Sequence, residues 1–274
     1  MKTRIITAIC MAVLGIPLLI FSEYIIYPIA AGIFAAVAIY EMGSVTGLGK
    51  NLAMSVPAYV IAIATPILAY FFASFYFILC ACAVALAYML YLFGYAVVMR
   101  GQVKFSEVAT QFACFAYIVA SFTSLTLIRY TENGVYNFVL AFLAAWICDI
   151  FAYFVGRAIG KHKLIPEISP KKTVEGAIGG VFFTAVFFLI YGIIVSYING
   201  APTPNYLTLA IFGVVLSVVS QFGDLIASLI KREHGVKDYG KIFPGHGGVL
   251  DRFDSVVAVA PVLFALCLLF PPFS

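Results

Sequence analysis

The charged residues of this chain are concentrated in one short stretch of an otherwise apolar sequence. Nine Asp, Glu, Lys and Arg residues lie between Ser228 and Asp254, although such residues make up only 10% of the chain. Asp251 and Asp254 stand three positions apart, just after the tetrapeptide Gly-His-Gly-Gly at 245–248. Carboxylate oxygens beside backbone N–H groups that can approach phosphate are the groups that hold Mg²⁺ together with a nucleotide. The stretch is therefore a candidate site for phosphate chemistry, with simple capping of a helix N-terminus as the alternative.

Two more carboxylates, Asp149 and Asp224, lie inside long apolar segments. A charged group within a membrane segment must face protein or water, and such groups usually belong to a binding site or an ion pathway. Helical spacing puts Asp149 on one face with Trp146 and Tyr153 and places Asp224 on a polar stripe. Both aspartates are candidate ligands for a metal or a substrate, with a hydrogen-bonded contact between helices as the alternative. The stripe consists of Ser217, Gln221, Asp224, Ser228 and Lys231.

A second polar segment is expected to supply groups that bind phosphate. Ser169 followed by Pro170 is typical of a helix N-cap and a first helical position, so we expect a helix to begin there. Lys171, Lys172 and Thr173 would then stand at a helix N-terminus, where backbone N–H groups attract phosphate. Lysines that merely fix the membrane topology are the alternative explanation for the basic pair.

The remaining sequence predicts a helical membrane protein. The chain is 64% hydrophobic with a mean hydropathy of +1.09, and no charged residue occurs between Lys50 and Arg100. A bilayer core requires about 20 apolar residues per helix, and the alternating pattern of a membrane β-barrel is absent. We therefore expect an all-α, polytopic fold with about nine transmembrane helices. The first apolar run also fits a signal peptide, but a second run follows closely, so we expect the first to be retained. The predicted spans are 5–21, 25–41, 53–72, 76–98, 106–128, 136–157, 176–198, 206–230 and 253–271.

The distribution of Lys and Arg orients this fold. If the N-terminus is cytoplasmic, every Lys and Arg except Arg129 falls in a cytoplasmic segment, as the positive-inside rule requires. The net charge of +4 is confined to segments beside the membrane, which favours lipid headgroups or nucleotide phosphates over nucleic acid as partners. We expect one membrane domain, in which residues 1–133 form an N-terminal region of five spans and residues 134–274 form the catalytic region.

The polar stretch resembles the signature of the phosphatidate cytidylyltransferases, which are also called CDP-diacylglycerol synthases. The match holds at every spacing. Two other segments, Asp149–Arg157 and Ser169–Gly176, are similar to this family as well, whereas the N-terminal half agrees only in hydrophobicity and in the number of spans. The residues that carry the resemblance are Ser228, Lys231, Arg232, Lys237, Asp238, Gly240, Phe243, Pro244, His246, Gly247, Gly248, Asp251, Arg252, Phe253 and Asp254.

The resemblance implies a Mg²⁺-dependent reaction in which CTP and phosphatidic acid give CDP-diacylglycerol and pyrophosphate. The lipid phosphomonoester has a second pKa of about 6, so at neutral pH it is already a nucleophilic anion. Asp224 and Asp251 are expected to bind Mg²⁺, with Asp254 either as a third ligand or as a partner that contacts the ligands without binding the ion. Lys231 and Arg252 are expected to act in catalysis with these aspartates. The residues expected to bind substrate are Ser169, Lys171, Lys172, Thr173, Ser228, Arg232, Lys237, Asp238, His246, Gly247, Gly248 and Asp149.

Two other activities fit parts of this pattern. A membrane kinase that uses CTP would transfer the γ-phosphoryl group to a polyprenol and release CDP instead of pyrophosphate. A transporter would use Asp149 and Asp224 as coupling-ion sites near the middle of the bilayer, but the sequence shows no inverted repeat. The resemblance also implies a homodimer in a bacterial plasma membrane, with the active site facing the cytoplasm.

Overall fold

The computed structural model describes Val13, Gly15 and residues 17–274. Within this part of the chain, eight α-helices are long and apolar enough to cross a membrane, which confirms a polytopic, all-α protein. Each predicted span from the second to the ninth corresponds to one helix, and its predicted ends lie within five residues of the observed ends. Most of the first predicted span, 5–21, lies outside the described residues. The helices are α1 (Ile26–Thr46), α2 (Leu52–Phe72), α3 (Phe75–Val98), α4 (Phe105–Arg129), α5 (Gly134–Ile159), α6 (Val174–Ser196), α7 (Tyr206–Glu233) and α8 (Leu250–Leu269).

Backbone contacts divide the chain into two units. The first unit contains the described residues up to Tyr130 together with His234–Arg252. The second unit contains Thr131–Glu233 together with Phe253–Ser274. Helices α1 to α4 therefore build the first unit, and α5 to α7 with most of α8 build the second.

The core of the first unit is centred on α4, which packs against α1, α2 and α3. Phe115, Ile118 and Phe122 follow one another at helical spacing and are at most 2% exposed, so they form a buried face of α4. Helices α1 and α2 also approach each other closely at Gly32. A Cβ on Gly32 would lie 2.7 Å from the carbonyl oxygen of Ile63, so a larger residue would push the two helices apart.

Pro57 interrupts the hydrogen-bond ladder of α2 near its start. Because proline has no backbone N–H, the carbonyl of Ala53, four residues earlier, loses its usual helical partner. Tyr91 on α3 donates its hydroxyl to this carbonyl, with 3.0 Å between Oη and O. Tyr88, also on α3, donates to the Met54 carbonyl at 2.8 Å. Two tyrosines of α3 therefore stabilise the first turn of α2.

In the second unit, α5, α6 and α7 pack against one another in pairs. A Cβ on Gly176 of α6 would lie 2.5 Å from the carbonyl oxygen of Ala152 and 3.1 Å from the Cα of Gly156, both on α5. A Cβ on Gly223 of α7 would lie 2.6 Å from the Cβ of Ala258 on α8. Small residues therefore allow the close helix contacts that surround the candidate site.

A short antiparallel hairpin connects α5 to α6. Strand β1 (Lys163–Ile165) pairs with β2 (Ser169–Thr173) in a two-stranded sheet. The prediction that Ser169 is a helix N-cap and Pro170 a first helical residue was therefore wrong. Each strand of a two-stranded sheet is an edge strand, where a residue without an N–H is tolerated. Pairing with β1 prevailed over the local Ser-Pro pattern.

Helix α6 begins one residue after the hairpin ends. Thr173 is its N-cap, and its Oγ1 accepts a hydrogen bond from the Gly176 N–H at 3.1 Å. Glu175, in the first turn, accepts backbone hydrogen bonds from Lys161 at 3.1 Å and His162 at 3.2 Å. The carboxylate of Glu175 also contacts the His162 ring, with 2.6 Å between Oε1 and Nδ1. These contacts fix the hairpin to the start of α6.

Candidate functional site

A pocket of about 290 Å³ lies within the second unit, lined by α5, the hairpin, α6 and α7. Helix α5 contributes Asp149 and Arg157, strand β2 contributes Lys171 and Lys172, and α7 contributes Asp224. Two carboxylates and three cations from three separate elements therefore line one cavity. Cationic side chains can bind phosphate, and the carboxylates can hold a hard divalent cation.

The closest charged contact in this pocket joins Lys172 to Asp224. The distance between Lys172 Nζ and Asp224 Oδ2 is 2.5 Å, and the two side chains are 24% and 25% exposed. Ser228, one turn along α7, donates its hydroxyl to the other oxygen of Asp224 at 3.4 Å. The sequence predicted all three as site residues, and the structure brings them together.

Two more carboxylates of the second unit interact electrostatically with Asp224. They belong to Asp149 on α5 and Asp254 on α8, and Asp254 also interacts with Lys231. No three His, Cys, Asp or Glu side chains within the described residues form a metal site by themselves. Mg²⁺ usually takes one or two carboxylates and completes its coordination with water and substrate phosphates. The aspartates around Asp224 fit such a partial site.

The glycine-rich part of the signature lies in the first unit and forms a tight turn. The Phe243 N–H donates to the Gly247 carbonyl at 2.9 Å, and the His246 N–H donates to the Phe243 carbonyl at 2.8 Å. Gly247 has a φ of +89°, a conformation that favours glycine. Asp251 is 7% exposed, and its Oδ2 accepts backbone hydrogen bonds from Tyr239 at 2.7 Å and from Gly248 at 3.0 Å. Asp251 therefore holds this turn against the start of α8.

Glu41 of α1 also contacts this segment. Its Oε1 accepts a hydrogen bond from the Val249 N–H at 3.0 Å, and its Oε2 accepts one from the Leu250 N–H at 2.9 Å. The N–H groups of Gly248, Val249 and Leu250 donate to carboxylates of the chain itself. Contacts between phosphate and the glycines around His246 remain a prediction.

Comparison with known proteins identifies the family. A family model described as the cytidylyltransferase family matches residues 2–270. The phosphatidate cytidylyltransferase of Staphylococcus aureus strain COL is 34% identical over 266 residues, which are 96% of this chain and 97% of that protein. The phosphatidate cytidylyltransferase of Bacillus subtilis strain 168 is 41% identical over 188 residues, 68% of each chain. This chain belongs to the cytidylyltransferase family. It is therefore an enzyme of the cytidylyltransferase type.

The predicted site residues of this cytidylyltransferase-family enzyme fall in both units. In the second unit, Lys171, Thr173 and Asp149 line the pocket with Lys172 and Asp224. Lys231 is buried in the same unit. Ser169 and Arg232 do not line the pocket. Arg232 Nε instead donates a hydrogen bond to the Ile168 carbonyl at 3.5 Å. The predicted site residues that lie in the first unit are Lys237, Asp238, His246, Gly247, Gly248, Asp251 and Arg252.

The sequence-based site omitted two residues that the structure places in the pocket or beside predicted site residues. Arg157 lines the pocket, and its Nη1 donates to the Tyr153 hydroxyl at 3.0 Å. It follows Tyr153 by one helical turn, on the face predicted for Asp149, so helical spacing could have identified it. Glu41 could have been found as an ionisable residue at the end of an apolar span. Its partners could not, because they lie more than 200 residues later.

Proposed function

We propose that this enzyme transfers the cytidylyl group of CTP to phosphatidic acid, forming CDP-diacylglycerol and releasing pyrophosphate. The similar proteins from Staphylococcus aureus and Bacillus subtilis carry the name of this activity. The observation that carries the proposal is the pocket in which three cations and two carboxylates meet within a bundle of apolar helices. This arrangement suits a nucleotide and a phospholipid whose acyl chains stay in the bilayer.

The reaction forms one P–O bond and breaks another. An oxygen of the lipid phosphate attacks the α-phosphorus of CTP, and the bond from the α-phosphorus to the oxygen that bridges to the β-phosphorus breaks. Pyrophosphate leaves with the bonding electron pair. The attacking phosphomonoester has a second pKa of about 6, so it needs no strong base at neutral pH. The protein must instead bring two anions together and offset their charge.

Lys172 is the cation whose position best suits this task. Its Nζ lies against Asp224, and an entering phosphate oxygen can share this amino group with the carboxylate. Arg157, oriented by the Tyr153 hydroxyl, and Lys171 extend the positive lining of the pocket. A guanidinium can bind two phosphate oxygens at once, whereas a lysine acts as a point charge.

We propose Asp224 as a ligand of Mg²⁺, because the carboxylates of Asp149 and Asp254 in the same unit interact electrostatically with it. When bound, Mg²⁺ would act as a Lewis acid on the phosphoryl oxygens. Asp251 stays a predicted ligand. Its Oδ2 already accepts two backbone N–H groups.

We also propose that the enzyme lies in a bacterial plasma membrane with this pocket on the cytoplasmic side. The placement of Lys and Arg supports this orientation, because almost all of them fall in segments on one side of the predicted topology. The relatives described above are bacterial. A homodimer follows from the family resemblance, and light scattering of the detergent-purified protein would test it.

Labelled CTP distinguishes this activity from the alternatives. Purified protein is incubated with phosphatidic acid, Mg²⁺ and CTP that carries ³²P in either the α or the γ position. We expect label in the extracted lipid only from the α position, with release of pyrophosphate. A CTP-dependent lipid kinase, tested with a polyprenol acceptor, would instead transfer label from the γ position and release CDP. A transporter would label no lipid, and either result would refute the proposal.

A further inference from the structure

Glu41 is a buried carboxylate that caps a helix far away in the sequence. It lies in the penultimate turn of α1 and is 2% exposed. Each of its carboxylate oxygens accepts one backbone hydrogen bond, from Val249 and Leu250, at the point where α8 begins. These N–H groups precede the first full helical turn and have no partner within the helix. Negative charge at this end of a helix is also favoured by the helix dipole.

Two glycines of the signature leave room for the Glu41 carboxylate. A Cβ built on Gly240 or on Gly248 would collide with it. At Gly248, the three atoms nearest to such a Cβ all belong to Glu41. Gly248 has no positive φ, so backbone conformation does not require glycine there. The space that Glu41 occupies explains why position 248 has no side chain.

Glu41 and Asp251 together fix one continuous segment. Asp251 Oδ2 accepts the N–H groups of Tyr239 and Gly248, and Glu41 accepts those of the next two residues after Gly248. Four backbone N–H groups of residues 239–250 are thereby held by two carboxylates. The segment carries His246 and leads directly into Asp251 and Arg252, which the family resemblance places in the reaction.

We propose that Glu41 is a positioning residue that fixes the segment of residues 239–251 for cytidylyl transfer. The proposal rests on the proposed function, since it assigns Glu41 a part in that reaction. Taking a carboxylate out of water is costly unless hydrogen bonds compensate the charge. Both oxygens of Glu41 accept backbone N–H groups, so the two contacts together hold the segment in one position. Glu41 acts through the signature segment and is not itself expected to touch substrate.

Glu41→Gln tests the role of the carboxylate, because an amide offers one acceptor oxygen where the carboxylate offers two. We expect hydrogen–deuterium exchange to increase in peptides that cover residues 239–251, while other regions exchange as in the wild type. We expect kcat to fall about 100-fold, the loss that a misplacement of about 1 Å can cause, with a smaller change in the KM for CTP. Glu107→Gln is the matched control, because Glu107 accepts the N–H of Lys104 at the start of α4 in the same unit. It should retain the wild-type kcat.

A double-mutant cycle with Gly248 tests the same contact without relying on one variant. Gly248→Ala should lower kcat strongly in the wild-type background, because its methyl group displaces the Glu41 carboxylate. In a Glu41→Ala background the methyl group has room, so adding Gly248→Ala should lower kcat much less. Losses that multiply independently would overturn the proposal. So would a Glu41→Gln protein with wild-type exchange, or one that melts earlier but keeps its kcat.

Separate results would refute cytidylyl transfer itself and the positioning role of Glu41. If wild-type protein incorporates no label from CTP into lipid, the proposed function is wrong, and exchange in residues 239–251 still reports whether Glu41 holds the segment. If the wild type is active and Glu41→Gln retains its kcat, only the positioning role is wrong.

Discussion

Lys172 and Asp224 form a short ion pair inside a pocket that contains further charges. Each side chain is about a quarter exposed, so solvent screens the pair less than it would on an open surface. Asp224 also interacts with the carboxylates of Asp149 and Asp254. Removal of the lysine would leave three neighbouring carboxylates with less positive charge, and we expect it to weaken the proposed binding of phosphate.

We expect Lys172→Gln to lower kcat/KM for CTP by about 100-fold. This loss is typical of removing one hydrogen-bond donor that stabilises negative charge in a transition state. Lys163→Gln is the matched control, because Lys163 is an exposed residue of the same hairpin that does not line the pocket. Steady-state kinetics at a fixed fraction of phosphatidic acid in detergent micelles would measure both. Equal losses in the two variants would contradict a specific role for Lys172.

The sequence identified candidate site residues more readily than it identified the residues that they contact. Asp224 and Ser228 were placed on one polar face because helical spacing depends only on the local sequence. The contact of Lys172 with Asp224 and that of Glu41 with Leu250 depend on which elements pack together, and periodicity within one helix does not report this. The candidate residues were therefore named from the sequence, while the arrangement of the pocket required the structure.

Among the secondary-structure elements, the length of each apolar run predicted the helices correctly. The Ser-Pro pattern at 169–170, in contrast, predicted the wrong start for α6. A run of about 20 apolar residues is sufficient to specify a spanning helix, so helices such as α3 lie within one residue of their predicted ends. The start of α6 depends instead on whether residues 169–173 pair with β1. That pairing is with a strand only a few residues earlier, but Ser169 and Pro170 gave no sign of it.

Close contact between α5 and α6 is expected to depend on Gly176. Gly176→Ala should lower the apparent melting temperature and reduce activity, because overpacking commonly destabilises by about 1–3 kcal/mol and α6 carries the end of the hairpin. Gly94→Ala in α3 meets no atom within 4 Å and replaces glycine with a better helix former. It should melt at or slightly above the wild-type temperature. Thermal unfolding in detergent would compare them, and equal melting would refute the importance of this contact.

At the scale of the whole molecule, the distribution of charge predicts the side of the membrane on which the hairpin lies. In a background without the six native cysteines, a cysteine in place of the exposed Lys163 should react with a membrane-impermeant maleimide only after cells are permeabilised. A cysteine in place of the exposed Asn199, in the next loop, should react in intact cells. The reverse pattern would show that the predicted orientation is wrong.

We propose that Mg²⁺-dependent cytidylyl transfer takes place in the pocket around Asp224. Asp224→Asn keeps the size of the side chain and removes its charge. The most direct measurement is Mg²⁺-dependent incorporation of label from [α-³²P]CTP into phosphatidic acid by purified wild-type and Asp224→Asn proteins with equal melting temperatures. We expect robust incorporation by the wild type and none above background by the variant. Substantial Mg²⁺-dependent incorporation by Asp224→Asn would contradict the claim.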